Sequence, residues 1–96
     1  MSYKVFFSKL AEKELRNIIT NLKDISQDSN LILRHQAEIK NAVFSLDIFP
    51  DRYPIYKSSN SVCYSRKMVT KHYIILYSIK DKSVIINKIL AQGMNI

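Results

Sequence analysis

Tyr73-Ile74-Ile75-Leu76-Tyr77 puts bulky apolar residues at every consecutive position of a short run. Strict alternation marks a strand with one wet face, whereas an unbroken apolar run between polar residues suits a strand buried on both. This run is therefore expected to form the central strand of a sheet. Immediately before it, the stretch from Ser61 to Val69 reads as a second strand, joined to the first near Thr70-Lys71 and carrying the cations Arg66 and Lys67. Adjacent positions of a regular strand point oppositely, so Val62, Tyr64, Arg66 and Met68 share one side and Cys63, Ser65, Lys67 and Val69 the other. Without a bulge, Arg66 and Lys67 cannot both face solvent.

The cover for such a sheet comes from the first half of the chain. Tyr3 to Phe7 alternates and is β-prone, so it reads as a strand. Ser8 follows at an N-cap position. Behind it Ala11, Leu15, Ile18, Leu22 and Ile25 recur at helical spacing, with Leu10 and Ile19 widening the stripe. After the polar break at 26–29, where Asp28 or Ser29 can cap, Ile32, Ile39, Val43 and Leu46 form a second stripe, with Gln36 in the missing slot. Two amphipathic helices joined by so short a turn should pack as an antiparallel hairpin. Pro50 cannot continue a helix, so the second should end near Asp47.

From Arg52 the period changes to two. Tyr53 to Lys57 is a weak strand that Pro54 confines to an edge, and a final strand spans about Ser83 to Leu90 after a turn at 80–82. The order predicts one α+β domain over residues 1–96: an N-terminal strand, then an antiparallel helix hairpin packed on a curved antiparallel sheet of four to five strands. Its length suits a single modest core, and 47% hydrophobic against 24% charged residues is the balance of a folded chain. The single cysteine, Cys63, fits a reducing compartment, and no run is long enough to span a bilayer, so a soluble cytoplasmic protein is expected.

The formal charge of +7 is unevenly distributed. Up to Asp51 basic and acidic residues balance; from Arg52 onward there are Arg52, Lys57, Arg66, Lys67, Lys71, Lys80, Lys82 and Lys88 against Asp81 alone. Such asymmetry points to a polyanionic or acidic partner.

Several motifs together resemble the RelE/ParE superfamily of bacterial toxins from type II toxin–antitoxin modules. They are Tyr3-Lys4-Val5 leading to Ser8-x-x-Ala11, Ile39…Val43…Leu46…Phe49-Pro50, Tyr64-Ser65-Arg66-Lys67, the run Tyr73 to Ile79, and Val84-Ile85-Ile86…Ile89-Leu90. The resemblance covers about Tyr3 to Leu90. It implies a helix hairpin on a curved sheet and a cognate antitoxin whose acidic or amphipathic segment wraps the toxin. In that superfamily RelE-like members cleave mRNA on the ribosome, and ParE-like members poison DNA gyrase. By the resemblance Lys67 falls where a strand lysine of the nuclease branch would lie, with Arg66 an adjacent candidate. Two departures stand out: Ile74 occupies a position often held by arginine in that branch, and the tail from Gln92 to Ile96 lacks Arg, Tyr and His.

Cleavage at a 2′-OH needs a base, a proton donor and a cation for the developing phosphorane charge. Arg66, Lys67 and His72 are the candidate catalytic set, His72 as base or acid. Lys57, Tyr64, Arg66, Lys67, Lys71 and Lys88 are the candidates for nucleic-acid or target binding, with Tyr64 or Tyr73 able to stack on a base. The tyrosines at 73 and 77 read first as core, and His35, on the second helix, as solvated or capping a contact. Cys63, His35 and His72 lack metal-ligand spacing, so neither a metal nor a cofactor is expected. Growth arrest by cleavage of ribosome-bound mRNA is the expected function. The alternatives are a non-enzymatic gyrase inhibitor and an attenuated toxin that binds only its antitoxin.

Overall fold

The computed structural model describes residues 3–25, 28–56 and 65–92. Two helices, α1 (Lys9–Ile25) and α2 (Ser29–Phe44), separate β1 (Lys4–Phe7) from the remaining strands, β2 (Ile55–Tyr56), β3 (Ser65–Val69), β4 (Tyr73–Lys80) and β5 (Ser83–Ala91). The apolar run opens β4, and β4 is the middle strand of the sheet, whose order is β1-β5-β4-β3-β2. Strands β2 to β5 pair antiparallel, as expected. The pairing of β1 with β5 is parallel, so the sheet is mixed at one edge. A parallel pair cannot be closed by a tight turn and needs a long crossover; here both helices and three strands intervene. Pro54 stands just before the two-residue edge strand β2, and its carbonyl accepts the Lys67 N–H at 3.0 Å.

Ser8 fixes the junction between sheet and helix. Its Oγ accepts the Ala11 N–H at 3.0 Å, the expected N-cap, and donates to the Asn87 carbonyl at 3.2 Å. Its backbone N–H meets the Ile86 carbonyl at 2.9 Å, continuing the β1–β5 ladder by one bond. At that level β5 carries a bulge: Leu76 pairs with Lys88 and Tyr77 with Ile86, leaving Asn87 as the extra residue. The Asn87 amide is held by Ser65 Oγ (3.3 Å) and Ser78 Oγ (3.1 Å). Beyond the bulge Glu14 of α1 accepts the Ile89 N–H at 3.1 Å, satisfying an edge donor that β1 no longer reaches. Asp28 caps α2 through the Asn30 N–H.

Ala11, Ile39, Val43 and Leu46 pack on Met68, Ile75, Tyr77, Val84, Ile86 and Ile89 to make one core. Full burial of side chains of this size is worth roughly 1.5–3 kcal/mol each. The stripe on α1 overruns this core: Leu10 is 50% and Ile25 81% exposed. Past α2, Ser45–Asp47 and Pro50–Arg52 form 3-10 turns, and Phe49 between them takes left-handed angles, which are uncommon for a bulky residue. The turns seal one end of the core through Leu46 and Pro50, both buried, and the Tyr77 hydroxyl donates to the Pro50 carbonyl.

Candidate functional site

The register settles which side of β3 packs on the core. Arg66 pairs with Tyr77 and Met68 with Ile75, so Arg66 and Met68 share the core side of the strand. Lys67 pairs with Leu76 and points the other way. Leu76 pairs in turn with Lys88, so the two lysines flank it in one row across the open face, with Ser65, Ser78 and Asn87 beside them. Both lysines are half-buried.

Arg66 has a different occupation. Its Nη1 donates to the carbonyls of Tyr53 (2.7 Å) and Asp51 (3.0 Å), fastening the segment that follows the second 3-10 turn to β3. Arg52 ties the second 3-10 turn back to the first, donating to the Ile48 carbonyl at 2.8 Å and Ser45 Oγ at 3.1 Å while its guanidinium lies 5.0 Å from the Tyr53 ring. Burial pushes the buried Tyr77 hydroxyl up to about 12, although the Arg66 charge pulls the other way.

The opposite end of β3 and β4 holds a polar cluster that sequence reasoning did not assemble. Glu38 of α2 receives the Thr70 hydroxyl (2.5 Å) and the His72 N–H (2.8 Å) on Oε2, and its Oε1 lies 2.7 Å from His72 Nδ1. One turn back on α2, His35 Nδ1 meets the Tyr73 hydroxyl at 2.8 Å, and the His35 and His72 rings lie 4.6 Å apart. Burial raises the Glu38 carboxyl, but the bonds from Thr70 and His72 outweigh it and hold Glu38 below the usual carboxylate value. Burial and the Glu38 charge both push the Tyr73 hydroxyl up. The turn is held by hydrogen bonds: Thr70 caps Tyr73 N–H through its hydroxyl, and Gln92 bonds the Thr70 and Lys71 carbonyls. A cavity of about 360 Å³ opens beside the cluster, with Arg34 and Lys71 at its rim.

The residues expected to act together are thus divided. Lys67 and Lys88 are on the open face, Arg66 is beneath it, and His72 and Lys71 are at the β3–β4 turn. Lys57 and Tyr64 lie outside the described residues. His35 and Glu38 were missed, although His35-x-x-Glu38 at i, i+3 on one helix flank was a usable signal.

This architecture is shared with chains from solved toxin–antitoxin systems. A chain of the chromosomal ParDE system from P. aeruginosa superposes with a TM-score of 0.75 at 14% identity, covering 94% of this chain and 96% of that one. A chain of a RelBE toxin–antitoxin complex from Mycobacterium tuberculosis gives 0.61 at 18% identity, with 98% and 95% covered. At such identities the likeness is one of fold. No curated protein matches the sequence. The family description "ParE toxin of type II toxin-antitoxin system, parDE" matches residues 5–96, and the chain belongs to that family. Among the described residues no helix is long and apolar enough to cross a membrane.

Proposed function

We propose that this toxin arrests growth by binding a large protein target, DNA gyrase, and that it does not cut mRNA. The observation that carries the reading is the occupation of Arg66. Its guanidinium serves two backbone carbonyls on the core side of β3, and four residues of extended strand, about 13 Å, separate it from the β3–β4 turn that bears His72. A cation, a base and an acid within about 3 Å of one scissile phosphate are what cleavage requires, and the Arg66, Lys67 and His72 set does not converge so. The open face, with Lys67 and Lys88 across a serine- and asparagine-lined row, instead suits a broad contact with an acidic protein surface. In the same reading the cognate antitoxin supplies an acidic or amphipathic segment that competes for the toxin.

Purified toxin should inhibit DNA supercoiling by gyrase, and added antitoxin should relieve the inhibition. Unchanged supercoiling at a large molar excess of toxin would overturn the reading. The His72 cluster favours one second reading. His72 is oriented by Glu38 as imidazoles that move protons are, and Arg34 and Lys71 rim the same cavity. A ribosome-dependent nuclease centred there would lose all mRNA cleavage in His72→Ala.

A further inference from the structure

We propose that His35, Glu38 and His72 form a binding site for a single zinc-class divalent metal ion that ties α2 to the β3–β4 turn. One donor atom from each residue lies within 4.8 Å of the other two. Two come from one helix flank and the third from a turn held by Thr70 and Gln92, so the donors sit on rigid supports and not on side chains free to drift.

The ligand chemistry selects the metal class. Two imidazoles and one carboxylate suit zinc and its neighbours among the later first-row ions, while magnesium and calcium require oxygen-rich sets. Outer contacts already orient the donors. The Tyr73 hydroxyl at 2.8 Å from His35 Nδ1 leaves Nε2 of that ring for the metal, the arrangement by which a second hydrogen bond fixes a ligating histidine. Thr70 and the His72 N–H engage Glu38 Oε2, leaving Oε1 on the His72 side for coordination. Oε1 and Nδ1 lie 2.7 Å apart, and binding the ion between them replaces that hydrogen bond, releases any proton it carries and opens the pair to ligand spacing. The adjoining cavity provides an entry path and a fourth position for water. Arg34 and Lys71 oppose a dication, but both are exposed, where water and salt screen them. They also favour an anionic fourth ligand over a second cation.

The site is independent of which target the toxin engages. Its test exploits a property of the sequence: the chain has two histidines, and both are in the site. Tag-free protein is titrated with zinc chloride while the ring resonances of both histidines are followed by NMR. Both should move together and reach an end point at one equivalent, and cobalt(II) should give the visible absorption of a four-coordinate ion. Glu38→Gln and His35→Gln, with far-UV circular dichroism unchanged, should each weaken zinc binding at least about tenfold. Histidine resonances that stay put on zinc addition would overturn the proposal, with no variant needed. Equal zinc affinity in the two folded variants would overturn it as well, since the ion would then sit elsewhere.

Discussion

At the scale of single residues, side chains of one type carry different work according to what surrounds them. Arg66 holds two carbonyls and Lys67, next to it, faces outward; alternation made their opposition legible, but only the pairing register assigned the sides. Arg66→Ala should destabilise the fold by about 1.5–3 kcal/mol, the range for hydrogen bonds to a charged group, seen as a lower urea midpoint. Ser8→Ala removes an N-cap and the bond to the bulge at once, and should cost about 1 kcal/mol or more. Tyr77 supplies a pH signature. Its hydroxyl is raised from 10.0 to about 12 in the folded protein, so its contribution is intact below pH 10 and is lost as the pH climbs toward 12, where the unfolded chain ionises first. Tyr77→Phe should make stability fall less steeply across that window. Glu38 has the opposite sense: its lowered value stabilises the fold above the ordinary 4.5, and that contribution is lost as acid protonates it. Glu38→Gln should flatten the acid limb of a stability–pH curve.

At the scale of elements, hydrophobic period was a dependable guide where burial was complete. The Tyr73–Tyr77 run became the middle strand because no edge position could cover both of its faces. Ile75→Asp should prevent cooperative folding, since an unpaired buried carboxylate costs several kcal/mol; a soluble variant with a normal melting transition would contradict the strand order. The period was less informative about extent. Leu10 and Ile25 fit the α1 stripe yet are half or mostly exposed: they stand in the first and last turns of the helix, and the period does not say where along a helix burial begins and ends. The parallel β1–β5 pair left no local trace, as its partners lie about eighty positions apart and no turn chemistry encodes the pairing. The Asn87 bulge is equally silent in sequence, for it depends on where Ser8 and β1 end.

At the scale of the whole molecule, the fold and family were legible from the order of motifs, while the polar site was not. Glu38 reaches Thr70 and His72 over more than thirty residues, and a helix flank carrying His35 and Glu38 looks solvated until the β3–β4 turn is set against it. Charge is the property that acts over the longest range. If the basic second half makes the contacts with target or antitoxin, raising salt from low to physiological levels should weaken association markedly, checked by titration at several ionic strengths. Salt-independent binding would instead assign the contact to the helix hairpin and its exposed apolar residues.

A toxin that acts by binding gyrase, as proposed, cuts no RNA. Mapping mRNA 5′ ends in a reconstituted translation reaction tests this most directly. Messages should stay intact at toxin concentrations that block gyrase. Toxin-dependent cuts that require ribosomes and vanish in His72→Ala would contradict the proposal.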